Sequence, residues 1–179
     1  MIVIGYQGIG KSTMSKKFLE CIDLESSNFR IDGVRADDWY KAYSNIALDL
    51  SRQGYIVFTS SHAPVREWLG TRNKTNEKII ICYPAFQLRD QWVKKLEERY
   101  NVSNLQKDYI AWKNAEDRYA DNIQEMIDDA KKYEFGRCCL LTMTYDLDRD
   151  LAGFINRNAL TCGLHYRSGY DVKVDACIL

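Results

Sequence analysis

The residues best suited to do chemistry stand at the start of the chain, where a glycine-rich turn leads into a lysine and two hydroxyl side chains. Residues 1–13 read MIVIGYQGIGKST, and Gly5, Gly10, Lys11 and Ser12 complete the P-loop pattern G-x-x-x-x-G-K-[ST]. In such a turn, backbone N–H groups surround phosphate oxygens, the lysine neutralises the β- and γ-phosphates, and the serine hydroxyl is a ligand of Mg²⁺. The pattern therefore predicts a site for a nucleoside triphosphate, with ATP and Mg²⁺ as the expected cofactors.

The whole turn is expected to contact the triphosphate. Gly5, Gly8 and Gly10 are expected to adopt positive φ, which points successive N–H groups inward. A buried strand at residues 2–4 precedes the turn, and a helix that begins near Lys11 adds the positive end of its dipole. The alternative is a chance glycine turn between a strand and a helix. The residues expected to bind the triphosphate are Gly5, Gln7, Gly8, Ile9, Gly10, Lys11, Ser12 and Thr13.

Two carboxylates follow on a second predicted strand, at residues 21–25. Asp23 and Glu25 are two positions apart, so a strand would place them on one face. One interpretation is a strand end with solvated acids. The other places the strand end beside the turn, where Asp23 holds Mg²⁺ together with Ser12 or accepts the proton of a substrate hydroxyl. The predicted strand at residues 55–59 ends without an acid, which favours the second interpretation.

Polar and basic side chains after the strands are the candidates for binding an acceptor substrate. Ligands of an open parallel sheet bind beyond the carboxyl ends of its strands. His62 is equally consistent with a hydrogen-bonded loop residue. Arg66 stands near the first turn of a predicted helix, from which its guanidinium could reach an anion. The candidate substrate residues are Glu25, Arg35, Ser60, Ser61, His62 and Arg66.

Basic residues are concentrated on a helix predicted at residues 87–100. Lys95 and Arg99 are the candidates for closing over the triphosphate, because phosphoryl transfer requires cations around the transferred group. The alternative is an ordinary solvated helix face. A second long helix is predicted at residues 105–133 from its apolar stripe, and the pair forms an expected helical lid at about residues 86–132. The expected catalytic residues are Lys11, Asp23, Lys95 and Arg99.

Five apolar segments with strand character alternate with helical segments along the chain. They lie at residues 2–4, 21–25, 55–59, 77–83 and 138–143. The alternation predicts an α/β, three-layer P-loop NTPase fold with a five-stranded parallel sheet and helices on both faces. We expect a single domain over residues 1–179, with a last helix at residues 145–154. The tail at about residues 156–179 has no clear pattern.

Composition narrows the classes of partner. The 179 residues include 25 basic and 25 acidic side chains, so no net field draws the chain to nucleic acid or to a membrane surface. No apolar run approaches membrane-spanning length, and a strand that begins at residue 2 leaves no room for a signal peptide. We therefore expect a cytoplasmic monomer or homodimer with no membrane partner. The six cysteines lack C-x-x-C spacing and are expected to be buried thiols.

The chain resembles the small P-loop kinases of the shikimate kinase, gluconate kinase and nucleoside monophosphate kinase group over about residues 1–150. Residues 22–25 are similar to the D-x-D-like strand of shikimate kinases, which implies that Asp23 faces the acceptor hydroxyl. Residues 54–69 resemble a gluconate kinase segment, and residues 95–99 look like the lid motif R-x-x-x-R with lysine first. The chain is also similar to compact nucleotide-kinase-like proteins of phages and prophages.

The expected function is therefore ATP- and Mg²⁺-dependent transfer of the γ-phosphoryl group to a small acceptor. The resemblance implies a nucleoside or a (deoxy)nucleotide monophosphate as that acceptor. One alternative is a P-loop NTPase switch or binding module that acts on a macromolecular partner. Another is a kinase of a hydroxyl on nucleic acid, a partner that the neutral composition does not indicate.

Overall fold

Five parallel strands form one sheet in the order β2-β3-β1-β4-β5. The computed structural model describes residues 1–30, 34–73 and 77–143. The α/β class and the five-stranded parallel sheet predicted from the sequence are confirmed. Within the described residues the strands are β1 Ile2–Gly5, β2 Cys21–Asp23, β3 Ile56–Ser60, β4 Ile79–Pro84 and β5 Gly136–Leu140.

The helices lie along the sheet in an arrangement consistent with three layers. The chain runs from β1 to β2 in one direction across the sheet and from β2 to β5 in the other. Right-handed crossovers then place α1 on one face and the packed series α2, α3 and α5 on the other. The helices of the described residues are α1 Lys11–Lys17, α2 Trp39–Arg52, α3 Ala63–Arg72, α4 Arg89–Ser103 and α5 Gln106–Lys132.

Strand β1 is central because its residues are apolar on both faces, as a strand covered on both sides requires. Ile2, Val3 and Ile4 are completely buried between β3 and β4. The register pairs Gly5 with Ser60 of β3 and with Cys82 of β4. The carboxyl ends of these strands therefore meet at one edge of the sheet, where the segment that follows β1 begins.

Strand β2 is shorter than predicted. It ends at Asp23, which pairs with Phe58 of β3. Glu25 follows in extended backbone and precedes a 3₁₀-helix, Ser26–Phe29. Because the strand does not reach Glu25, the alternation of a strand does not place its side chain beside that of Asp23, and Glu25 is positioned by the segment after the strand.

Helices α4 and α5 form a helical hairpin, the α4–α5 hairpin, that covers most of the predicted lid region. The two helices pack along each other and are joined at Asn104, whose φ of 52° reverses the chain direction. The predicted helix at residues 145–154 and the tail at 156–179 lie outside the described residues. No helix in the described part of the chain combines the length and the apolar character needed to cross a membrane.

Cys162 and Cys177 lie outside the described residues, and the other four cysteines follow the prediction only in part. Cys21 and Cys82 are buried thiols, whereas Cys138 is partly exposed and Cys139 is exposed. The difference arises because β5 lies at the edge of the sheet, where alternate side chains face outward.

A glycine in α3 allows close packing against the residue that follows α5. A Cβ atom at Gly70 would lie 2.3 Å from Cγ of Tyr133. We therefore expect Gly70→Ala to lower the free energy of unfolding by about 1–3 kcal/mol, the usual cost of overpacking. Urea denaturation measures the change. In a Tyr133→Ala background the same substitution should cost much less, and an equal cost in both backgrounds would contradict the steric explanation.

Candidate functional site

A cleft of about 660 Å³ opens at the carboxyl edge of the sheet. Its walls are the glycine-rich turn of residues 5–12, the end of β2, and the α4–α5 hairpin. Gly5, Ile9, Ser61 and Arg66 do not line it. The predicted site residues that line it are Gln7, Gly8, Gly10, Lys11, Ser12, Thr13, Asp23, Glu25, Arg35, Ser60, His62, Lys95 and Arg99.

The glycines of the turn act in two different ways. Gly8 and Gly10 adopt φ of 82° and 97°, as expected for residues that point N–H groups inward. The expectation for Gly5 is wrong, because this residue ends β1 with the extended backbone of a strand. A Cβ atom at Gly5 would lie 2.4 Å from Cδ1 of Ile9, so glycine is required there by close packing. Ile9 is buried under the turn rather than exposed to the cleft.

The Lys11 side chain folds back into the turn. Its Nζ lies 3.3 Å from the Gly5 carbonyl oxygen and 3.4 Å from that of Tyr6. Burial lowers the pKa of Lys11, and the nearby carboxylates of Asp23 and Glu25 oppose this change. An amine held in this way is stabilised as an ammonium by any anion that enters the turn.

Ser12 and Asp23 form the closest polar pair in the cleft. The Ser12 hydroxyl, on the first turn of α1, donates to Asp23 Oδ2 at 2.5 Å. A hydroxyl and a carboxylate side by side are hard oxygen ligands of the kind that Mg²⁺ binds together with substrate phosphates. No cluster of three or more metal-binding side chains occurs in the part of the chain that the structure describes. The two oxygen donors of this pair are of a kind that would fit Mg²⁺ bound together with a phosphate.

Helix α2 holds the ends of β2 and β3 in register beside this pair. The Tyr43 hydroxyl donates to the Leu24 carbonyl at 2.7 Å and accepts the Ser60 N–H at 2.8 Å. Burial raises the pKa of Tyr43 to about 12, so the hydroxyl remains a donor at physiological pH. One fully buried side chain thus positions both strand ends that carry polar residues of the cleft.

The α4–α5 hairpin docks directly on the glycine-rich turn. The Trp92 indole N–H donates to the Gln7 carbonyl at 2.9 Å, and Lys95 Nζ donates to the Gly8 carbonyl at 3.0 Å. The Gln7 side chain in turn donates to the Ala111 carbonyl at 2.7 Å. Lys95 therefore lies where the sequence predicts a cation, and it binds the backbone of the turn.

Arg99 lines the cleft but is held by a carboxylate. Its Nη2 lies 2.8 Å from Asp108 Oδ1, and Ser103 donates to Asp108 Oδ2 at 2.6 Å. Asp108 is buried. Movement of Arg99 toward a phosphate would leave a buried carboxylate without its cation, which is costly. Arg99 is therefore fixed to the start of α5 in this structure.

Ser61 and Arg66 are the substrate candidates that the structure places elsewhere. Arg66 is only 4% exposed, and its Nε lies 2.6 Å from Asp129 Oδ2. Its other nitrogens contact Glu125 and the Ser61 carbonyl. Because α3 packs on α5, the arginine is directed at the acids of that helix and away from the cleft.

Arg66 is thus expected to support the fold rather than the site. Arg66→Leu should lower the free energy of unfolding by about 2–3 kcal/mol, below the roughly 3–5 kcal/mol of a fully buried pair, because Asp129 is partly exposed. Urea denaturation tests this expectation, with exposed Arg72 of the same helix as the control position. Loss of ligand binding by folded Arg66→Leu protein would contradict it.

The sequence pattern did not reveal two cations of the cleft, Arg30 and Lys107. Lys107 Nζ lies 3.4 Å from Glu25 Oε2 and so links the start of α5 to the segment after β2. The two partners are 82 positions apart in the chain. No local periodicity signals such a contact, since it depends on how the hairpin docks.

In comparisons with known proteins, the chain matches no protein-family model and no curated protein.

Proposed function

We propose that this protein is an ATP- and Mg²⁺-dependent phosphotransferase with a P-loop, which moves the γ-phosphoryl group to a small acceptor. The observation that supports this most strongly is the Ser12–Asp23 pair at 2.5 Å. It stands beside Lys11, which is directed into a turn whose glycines Gly8 and Gly10 have left-handed backbone. Phosphoryl transfer depends mainly on positioning and charge neutralisation, and these groups supply both.

The turn and Lys11 bind the triphosphate in this proposal. The inward N–H groups donate hydrogen bonds to phosphate oxygens, and the Lys11 ammonium neutralises charge that develops on the β- and γ-phosphates. Ser12 and Asp23 would hold Mg²⁺, which neutralises phosphate charge when bound. Lys95 holds the Gly8 carbonyl and so keeps the turn in shape.

Asp23 also faces the space where an acceptor would lie. The acceptor hydroxyl oxygen forms a bond to the γ-phosphorus while the bond to the β–γ bridging oxygen breaks, and ADP leaves. The hydroxyl proton passes to the Asp23 carboxylate. Glu25, Ser60 and His62 line the same cleft as Asp23, and its volume of about 660 Å³ leaves room for a small acceptor.

A nucleoside or a (deoxy)nucleotide monophosphate is the acceptor that we propose, because the chain resembles the small P-loop kinases.

The test is a panel of nucleosides, nucleoside monophosphates, sugar acids and DNA, each incubated with γ-labelled ATP and Mg²⁺. A labelled small product is the expected result. Slow ATP hydrolysis with no labelled acceptor would favour an NTPase acting on a macromolecule, and labelled DNA would favour a nucleic-acid kinase. Failure to bind ATP with Mg²⁺ would overturn the proposal.

A further inference from the structure

Arg35 lines the cleft between the segments that follow β2 and β3. Its guanidinium lies over the Trp39 ring, 4.3 Å from the ring centroid. Nη2 donates to the Ser26 carbonyl at 3.2 Å and to the Ser26 hydroxyl at 3.0 Å, and Nη1 lies 3.3 Å from His62 Nε2. Three different segments of the chain therefore fix one guanidinium.

All of these partners are neutral. Among residues 1–30, 34–73 and 77–143, no carboxylate forms an ion pair with Arg35, and its buried Nε has no hydrogen-bond partner. Arg66, by contrast, contacts two carboxylates. Burial and then the charge of Arg30 lower the pKa of Arg35, as expected for a cation without a counter-charge. An arginine fixed in this way keeps an uncompensated positive charge for an anionic ligand.

The chemistry of arginine determines the state of His62. A guanidinium has only donors, so His62 Nε2 must be the unprotonated nitrogen that accepts from Arg35. The proton then lies on Nδ1, which is 2.9 Å from the Ser60 hydroxyl oxygen and donates to it. Although His62 is exposed on one side, desolvation of its ring and then the charges of Arg35, Arg66, Lys11 and Arg30 lower its pKa to about 4. His62 is therefore a neutral acceptor at physiological pH.

We propose that Arg35 is the receptor for a phosphate monoester on the phosphoryl acceptor, and that His62 is the residue that positions it. This inference rests on the proposed function and specifies its acceptor. Arg30 also lines the cleft and lies close enough for its charge to act on Arg35, so two cations are available to one anion. Two positive charges match the near-dianionic phosphate monoester at pH 7 better than a single carboxylate.

The acceptor would then span the cleft in one direction. Its phosphate monoester lies at Arg35, and a separate hydroxyl, which receives the γ-phosphoryl group, lies toward Asp23. A neutral nucleoside would leave Arg35 buried against the ligand without a partner, and would therefore bind more weakly than its monophosphate.

The proposed phosphate-binding role of Arg35 is tested by measuring acceptor binding while an ATP analogue occupies the glycine-rich turn. Protein saturated with a non-hydrolysable ATP analogue and Mg²⁺ is titrated by calorimetry with nucleosides, with their 5′-monophosphates, and with gluconate against glucose. We expect at least one monophosphate to bind about thirtyfold more tightly than its nucleoside, as for a hydrogen-bonded charge pair. Arg35→Gln should remove this preference and Arg35→Lys should restore part of it. Arg72→Gln, which changes an arginine over the Trp68 ring outside the cleft, should leave the preference intact.

Each other outcome has a distinct meaning. In one case the analogue binds but no monophosphate binds more tightly than its nucleoside, and in another only gluconate binds more tightly than its neutral counterpart glucose. Either result would show that Arg35 is not a phosphate receptor and would leave the proposed function standing. A preference that survives Arg35→Gln also overturns the assignment. If the ATP analogue itself fails to bind, the proposed function fails first, and this inference fails with it.

The positioning role of His62 has its own test. Gln at position 62 carries an oxygen near the place of Nε2 and can still accept from Arg35, whereas Leu has a similar size and no acceptor. With the preferred monophosphate, His62→Leu should raise the acceptor KM about tenfold, a loss of roughly one hydrogen bond to a charged group, while kcat and the KM for ATP change little. His62→Gln should recover most of the loss. Equal values for the Leu and Gln variants would overturn the role.

Discussion

Lys11→Ala is expected to reduce phosphoryl transfer by about 10²–10³-fold, the usual cost of removing one preorganised group that stabilises transition-state charge. The Lys11 Nζ lies within 3.3–3.4 Å of two carbonyl oxygens of the turn, so it is already directed at the space that phosphates would occupy. Its pKa is lowered by burial. Burial therefore disfavours the charged form of the amine, and an anion that binds in the turn stabilises that form.

Affinity for MgATP should fall together with the rate, because the ground-state triphosphate also loses its cation. Calorimetry with a non-hydrolysable analogue measures the first quantity, and release of labelled product measures the second. Lys16→Ala is the matched control, since Lys16 is an exposed lysine of the same helix and does not line the cleft. Normal binding and transfer by Lys11→Ala would show that the glycine-rich turn is not the triphosphate site.

Asp23→Asn is expected to reduce transfer by about 10²–10⁴-fold, the range for loss of a general base, while MgATP binding is largely kept. An asparagine side chain has nearly the same shape, and its oxygen can still accept from the Ser12 hydroxyl. The substitution therefore removes the negative charge and the proton acceptor with little change in packing. Steady-state kinetics and calorimetry on the same preparation separate the two effects.

The two roles of Asp23 respond differently to magnesium. If Asp23 acts through the metal, the rate of Asp23→Asn should rise as Mg²⁺ is raised, by mass action. If it accepts the acceptor proton, extra Mg²⁺ should not restore the rate. Asp49→Asn is the control, because Asp49 is an exposed aspartate that pairs with Arg52 on α2. Turnover at the wild-type rate by Asp23→Asn would remove Asp23 from the chemistry.

Local patterns were sufficient to predict the five parallel strands and the left-handed backbone of Gly8 and Gly10. A buried strand, a glycine-rich turn and a helix are recognised from adjacent residues, because side-chain periodicity and left-handed backbone are local properties. Helices α4 and α5 begin and end within three residues of their predicted limits for the same reason. The length of β2 was less predictable, since pairing with β3 ends at Asp23 although apolar and acidic residues continue to alternate.

The roles of the basic residues, by contrast, could not be predicted from local sequence patterns. Arg35 and Arg66 both follow strands and both looked able to reach a ligand, but the packing of α3 on α5 directs Arg66 to Asp129. Arg35 instead lies over the Trp39 ring, and no carboxylate of the described residues forms an ion pair with it. Lys107 reaches the cleft only because the hairpin returns it to Glu25, 82 positions away.

The amino-acid sequence by itself determined the parallel α/β architecture and the left-handed backbone of Gly8 and Gly10, because these follow from residue type and near neighbours. Only the tertiary structure decided which cations face the cleft and which are neutralised. A lysine or arginine side chain is long and flexible and can pair with any acid that docking brings within reach, so its role depends on contacts between distant segments.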